Sequence, residues 1–205
     1  EPMPLPVEAQ LTAAFCPVVA DFDNDGMEDI ALSQNVFGVH QEESRQDAGF
    51  GLLLLGQGDG TFETTSIGES GLAVFGEGRG AATADFNHDG RADLVICQNG
   101  GKPKLFLNQS KRRGLRVRLQ GGEGNREGVG AQIRLELNGK RGPSRTVRLG
   151  SGFLSQNSAT QVLGAAEKAT ALFVAWPSGE RERYKLAPSQ LAITVVKGQG
   201  EPLDD

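Results

Sequence analysis

The sequence predicts an all-β protein, a repeated strand unit followed by a small antiparallel β-sandwich or barrel. Three observations carry this. Glycine supplies 29 of 205 residues and no heptad or long helical period runs through the chain, which favours short strands and tight turns. Two stretches nearly repeat, Ala20-Asp21-Phe22-Asp23-Asn24-Asp25-Gly26-Met27-Glu28-Asp29 and Ala84-Asp85-Phe86-Asn87-His88-Asp89-Gly90-Arg91-Ala92-Asp93, with their first aspartates 64 positions apart. Beyond residue 114 the repeat stops, and Leu115, Val117 and Leu119 alternate with Arg116, Arg118 and Gln120 in the period of a half-buried strand.

Each repeat places oxygen-bearing side chains at its first, third and fifth positions, then a glycine, then a further aspartate. A loop of that spacing curls its carboxylates around one point, and the glycine admits the sharp turn. Calcium takes six to eight oxygens at about 2.3–2.6 Å, so the spacing predicts two Ca2+ sites. The first would use Asp21, Asp23, Asp25, the Met27 backbone carbonyl and Asp29; the second Asp85, Asn87, Asp89, the Arg91 backbone carbonyl and Asp93. A helical calcium loop would close on a glutamate at its twelfth position, but that position holds Leu32 and Ile96. The flanks at 17–20, 30–32, 81–84 and 94–96 are short and apolar, so each loop joins two strands. An acidic surface turn is the plainer reading of a single copy; two copies with the same flanks favour the ion site. The first loop holds four carboxylates with Glu28 nearby, the second three with Arg91 nearby, so the first is expected to bind calcium more tightly.

After the first loop a strand is expected at 50–55, a turn through Gly56-Gln57-Gly58-Asp59-Gly60, and a returning strand at 61–64; Asp-Gly between apolar segments signals a hairpin. The second copy has its third strand at 104–107 and no fourth. The pattern changes at Lys111-Arg112-Arg113-Gly114, which sets a boundary near 110–114 and divides the chain into 1–110 and 111–205. Further strands are expected at 131–137, 145–149, 171–176, 181–184 and 191–196, punctuated by Asn138-Gly139, Gly150-Ser151-Gly152 and Pro177-Ser178-Gly179, with a short turn at 165–168.

The formal net charge of −5 argues against nonspecific nucleic-acid binding, and no apolar run approaches the roughly 20 residues that span a bilayer. The chain opens at Glu1 with no initiator methionine, as expected of a processed or excised chain. Cys16 and Cys97 are read as buried and unpaired, with a disulfide tying the repeats together as the alternative. His40 has no obvious partner and His88 lies within an ion loop; Ser70 and Ser151 lack a Gly-x-Ser-x-Gly frame, and the glycines of 121–130 lack phosphate-loop spacing. No catalytic residue is therefore assigned. Lys111, Arg112, Arg113, Arg116 and Arg118 read as a solvated face, with an acidic glycan or protein partner as the alternative. Trp176 is expected in a core.

Ala-Asp-Phe-x-x-Asp-Gly-x-x-Asp before an apolar strand, with Gly-Gln-Gly-Asp-Gly-Thr-Phe after the third strand, resembles the FG-GAP/VCBS repeats of integrin-like β-propellers. Three stretches of the tail resemble the ASPIC/UnbV domain that follows such repeats: Gly124-Asn125-Arg126-Glu127-Gly128-Val129-Gly130-Ala131, Gly150-Ser151-Gly152-Phe153-Leu154-Ser155-Gln156-Asn157 and Val174-Ala175-Trp176-Pro177-Ser178-Gly179. Asn87 and Glu127 stand where the family pattern has aspartate. The resemblance implies a partial β-propeller of about two blades, calcium between the first and second strands of each, and a secreted, periplasmic or cell-surface location. It implies a binding or adhesion module recognising an extracellular protein or glycan, with an accessory or catalytic part of a polysaccharide-processing enzyme as the alternative. Two blades cannot close a ring, so the chain is expected to be the carboxy-terminal part of a longer protein. Alternatively, residues 5–15 supply the strand that the second blade lacks.

Overall fold

A computed structural model of the chain describes residues 2–148 and 150–203. The fold is all-β, in four sheets, none closed into a barrel. The first sheet is an antiparallel meander of β1 (Ala14–Ala20), β2 (Asp29–Gln34), β3 (Leu52–Gly56) and β4 (Phe62–Thr64), in that spatial order. Its third and fourth strands form the hairpin marked by Asp59-Gly60, where Asp59 Oδ1 accepts from the Thr61 amide at 2.9 Å. A single helical turn, α1 (Ile67–Ser70), follows. It is held by a reciprocal cap between Ser66 and Glu69 and ended by left-handed Gly71.

The second sheet repeats the meander with β5 (Glu77–Ala84), β6 (Asp93–Asn99) and β7 (Gly101–Phe106), and stops at three strands. The chain cannot continue along β7 because Asn108 turns it: its amide donates to Asp93 Oδ1 at 2.8 Å and its Nδ2 to the Phe22 carbonyl at 2.7 Å. Residues 5–15 do not complete this sheet. Val7–Gln10 is a short 3-10 helix, and from Ala14 the chain enters β1, where Ala14 faces Gln34 of the first sheet. Residues 5–15 have no apolar alternation to bury: Val7 and Leu11 stay 62% and 65% exposed, whereas Cys16, Val18 and Ala20 just beyond them are buried in β1.

Between the first two sheets lies one apolar core of Cys16, Val18, Ala20, Phe22, Ala31, Leu72, Val74, Ala81, Ala92, Leu94 and Ile96. Both cysteines are free. Cys16 is buried as expected, but Cys97 is exposed. Leu94 and Ile96 point inward on β6, and Cys97 turns to the other face at an irregularity of the β6–β7 register between Ile96 and Gln98.

The remaining strands build a sandwich. One layer orders β12 (Gln161–Leu163), β8 (Leu115–Gln120) and β15 (Ala192–Val196). The other orders β10 (Lys140–Arg141), β9 (Gln132–Leu137), β13 (Ala169–Ala175), β14 (Arg181–Lys185) and β16 (Glu201–Pro202), with β11 (Arg145–Thr146) also on β9. Their shared core includes Leu115, Val117, Leu119, Ile133, Leu172, Val174, Trp176 and Val195. The sandwich is not wholly antiparallel, because β15 runs parallel to β8. The chain leaves β14 in one layer and crosses to the free edge of the other, a return that fixes the parallel sense. The strand expected at 145–149 is only two residues long. Val147 leaves it to donate to the Ala131 carbonyl at 2.9 Å, and position 149 lies outside the described residues. Trp176 is 4% exposed, and its Nε1 donates to buried Glu182 at 2.7 Å.

Candidate metal centre and the junction that covers it

The two acidic loops cap equivalent strand pairs. Ala20 faces Asp29 across β1 and β2, and Ala84 faces Asp93 across β5 and β6, so each loop leaves and re-enters its sheet at the same register. Their internal bonding matches pair for pair. Asp21 Oδ1 accepts from the Asp25 amide at 3.1 Å and Oδ2 from the Gly26 amide at 2.8 Å; Asp85 accepts from the Asp89 amide at 2.9 Å and the Gly90 amide at 3.0 Å. The last aspartate reaches back in both: Phe22 donates to Asp29 Oδ2 at 2.7 Å and Phe86 to Asp93 Oδ2 at 2.8 Å. Asn24 and His88 occupy the same left-handed position, with φ of 57° and 63°, and Gly26 and Gly90 follow with φ of 99° and 82°. The loop is thus a backbone-wound turn in which carboxylates replace strand carbonyls as acceptors.

In the first loop the structure brings together Asp21, Asp23 and Asp29, whose ligand-capable atoms all lie within 4.8 Å of one another. Asp25 is turned aside and accepts from the Met27 amide at 2.7 Å. Asp21 and Asp29 are 2% and 1% exposed. Burial, reinforced by the charges of Asp29 and Asp25, pushes the Asp21 carboxyl up to about 7 against the pull of its Gly26 hydrogen bond. Burial likewise lifts Asp29 to about 6 despite amide donors from Gly56 and Phe22. Asp23 is raised by burial and by the neighbouring charge of Asp25. Two buried carboxylates and a third, Asp23, at the solvent-facing rim repel one another, and a hard divalent cation is the chemistry that such an oxygen set fits.

The second loop is arranged differently. Among the described residues its aspartates do not form a comparable group. Asp89 Oδ2 accepts from Arg91 Nη1 at 2.7 Å and from Asn87 Nδ2 at 2.9 Å. Arg116 Nε lies 2.7 Å from Asp85 Oδ2, a charge contact rather than an aligned hydrogen bond.

The sandwich covers both loops. Arg145, at the start of β11, places its Nη2 2.7 Å from Glu28 Oε1, and Arg112 Nη1 sits 3.3 Å from Asp23 Oδ2. The Ala165 amide donates to the Asn24 carbonyl at 3.1 Å, and the Gly114 amide to the Gly90 carbonyl at 2.8 Å. A Cβ on Gly164 would lie 1.9 Å from Asp21 Oδ2, so only glycine allows this approach. The segment at 150–158 lies against β1 and β5: the Phe153 amide donates to Cys16 Sγ at 3.3 Å, the Thr83 amide to Asn157 Oδ1 at 3.0 Å, and the Ser158 amide to the Thr83 carbonyl at 2.8 Å. Of the basic cluster, Arg112 and Arg116 serve this junction rather than an open face. Glu28, Arg145, Gly164 and Arg116 were not singled out as site residues from the sequence. Their roles depend on partners far along the chain, and no local spacing signals them.

Residues 121–202 match the family model described as ASPIC and UnbV. Over 66 residues the chain is 38% identical to cartilage acidic protein 1 of Xenopus tropicalis and, over the same length, 38% identical to cartilage acidic protein 1 of Mus musculus. Each alignment covers 32% of this chain and 10% of the relative, so the chain spans about a tenth of the length of the curated relatives it matches. The three tail motifs at 124–131, 150–157 and 174–179 all fall inside the matched family span. Among the described residues no helix is long and apolar enough to cross a membrane.

Proposed function

We propose that this chain is part of an extracellular, calcium-stabilised binding module. In this reading the sheets β1–β4 and β5–β7 are two FG-GAP blades of a propeller completed by further chain. The unit from about residue 111 is an ASPIC/UnbV domain seated on their loops, and the protein carries no catalysis of its own. The observation that carries the reading is the convergence of Asp21, Asp23 and Asp29 at the inner turn of a strand pair, in a sequence repeated at β5 and β6. The match to cartilage acidic protein 1 supports an extracellular setting.

One surface suits a protein segment better than a sugar. A groove of ≈ 890 Å³ between the first two sheets is lined by Leu53, Leu94 and Leu105 and also by Asp23, Glu63 and Glu69, and runs beside the open edge of β7. The leucines and the free strand edge favour an extended peptide, and the acidic rim a basic one.

Calorimetric titration of the chain with calcium tests the ion assignment. Asp23→Asn removes one converging charge and is expected to weaken binding by about tenfold or more. Unchanged affinity would refute the first loop as the ion site.

A further inference from the structure

We propose that Arg116 is a built-in cation for the second loop: its guanidinium occupies the charge position that a metal ion would take, so the folded chain holds one divalent cation rather than two. The inference rests on the reading of the first loop as a cation site, and its test separates the two.

The two loops share a scaffold and differ in charge. Both loops hold their first aspartate by amides four and five residues on, and both tie their last aspartate to the phenylalanine amide. The backbone therefore presents the carboxylates in the same way. What faces them differs. Asp21 Oδ2 looks toward Gly164, the nearby Arg145 bonds Glu28 instead, and Arg112 reaches only the outer, partly exposed Asp23 at 3.3 Å. Asp85 Oδ2 meets Arg116 Nε at 2.7 Å. The Asp85 side chain is 1% exposed, and a carboxylate so buried needs a positive partner.

Arg116 is not a surface residue that happens to reach inward. It sits on β8, where its amide accepts the register of the sandwich by donating to the Leu191 carbonyl at 2.9 Å. Its Nη2 is 2.9 Å from His88 Nδ1, at the loop's own left-handed corner. The guanidinium is thus fixed at both ends, by the strand that carries it and by the loop that receives it. A second guanidinium completes the arrangement. Arg91 Nη1 holds Asp89 Oδ2, and Arg91 Nε donates to the Ser110 carbonyl at 2.6 Å. Asn87, at the position of Asp23, turns its Nδ2 to Asp89, and that donor atom cannot serve a cation.

Asp85 and Asp89 are thus each met by a guanidinium, while Asp93 is held by the Phe86 and Asn108 amides, and a divalent ion entering the loop would meet like charge at close range. In the first loop the corresponding neighbour of the glycine is Met27, which brings no charge. The same turn has therefore been built twice, once to be closed by an ion and once to be closed by a side chain of the sandwich.

Equilibrium dialysis of the full chain against calcium gives the test, with native circular dichroism checked for each variant. The wild type is expected to retain one ion per chain and Asp21→Asn none. Arg116→Gln, which removes the charge and leaves a hydrogen-bonding stem, is expected to retain two. The double variant Asp21→Asn with Arg116→Gln is expected to retain one, now in the second loop, while Arg116→Lys keeps the wild-type count. A wild type that holds two ions overturns the proposal, as does a native Arg116→Gln that still holds one. Should Arg116→Gln fail to fold, Asp21→Asn decides: an ion retained there and lost on adding Asp93→Asn overturns the proposal, and no ion retained supports it. If the wild type holds none, the first-loop reading has failed, and the double variant still reports on Arg116.

Discussion

Replacing Asp21 by asparagine should make the ion-free protein more stable while abolishing its response to calcium. Asp21 is buried, and its carboxyl is lifted from the ordinary value of 3.8 to about 7. Roughly three pKa units at about 1.36 kcal/mol each set the ion-free cost of this one group near 4 kcal/mol at neutral pH. For an acid whose folded value lies above its unfolded value, that cost is fully present above about pH 7 and fades as pH falls toward 3.8. Asparagine removes the charge but keeps only one acceptor oxygen. The Asp25 amide would keep Asp23 Oδ1 at 3.0 Å if it lost this acceptor, whereas loss at the Gly26 amide would cost about 1–3 kcal/mol. The balance is a net gain of about 1–3 kcal/mol in chelator. The wild type recovers more than this on binding: calcium at a thousand times its Kd contributes about 4 kcal/mol. Urea unfolding of both proteins at pH 7.5, with EDTA and with saturating calcium, reads all four stabilities. Asp21→Asn should unfold later than wild type in EDTA and earlier in calcium. An Asp21→Asn protein that is less stable in EDTA, or that calcium stabilises as much as wild type, would refute the reasoning.

Three further outcomes are expected. Calcium affinity should fall as pH drops from about 7.5 to 5.5, because Asp21 and Asp29, with values of about 7 and 6, take up protons in that window and compete with the ion; titrations at several pH values would show it. Gly164→Ala should cost about 3 kcal/mol or more, since its Cβ would lie 1.9 Å from Asp21 Oδ2 and 2.7 Å from the Asn24 backbone; a thermal midpoint within a degree of wild type would count against the tight junction. A thiol reagent should modify Cys97 rapidly and Cys16 only on unfolding, because one is exposed and the other is 0% exposed; mass spectrometry of the labelled peptides distinguishes them.

Much of the fold could be read where the chain's instructions are local. The apolar flanks of the acidic loops became β1, β2, β5 and β6, the Asp-Gly pair became the β3–β4 hairpin, and alternation from Leu115 became β8 with its three aliphatic side chains buried. Cys97, expected to be buried like Cys16, is exposed, because Leu94 and Ile96 take the inward positions of β6. What local pattern does not encode is which distant strand becomes a neighbour. The parallel seat of β15 beside β8 depends on a crossover between layers, and the fate of residues 5–15 on competition for burial with β1. The candidate site divides in the same way. Spacing along the chain brought Asp21, Asp23 and Asp29 to attention, and they do converge. Asp25 lies at the same spacing, yet its carboxylate caps Met27 instead, because an aspartate in a turn bonds amides two residues ahead as readily as it faces inward. The arginines that meet Glu28 and Asp85 come from strands that follow much later, so no motif around the loops announces them.

The ion pair between Arg145 and Glu28 spans 117 positions of sequence, and Gly164 closes over Asp21 from further still. Such separations order events in time. Each loop can wind as soon as its two strands pair, but the walls that desolvate the first loop arrive only when the sandwich has folded and docked. Before that docking the carboxylates of the first loop stand in water. The crowded pocket forms only when the sandwich docks, and a reporter bound there would mark chains whose sandwich is seated rather than partly folded ones.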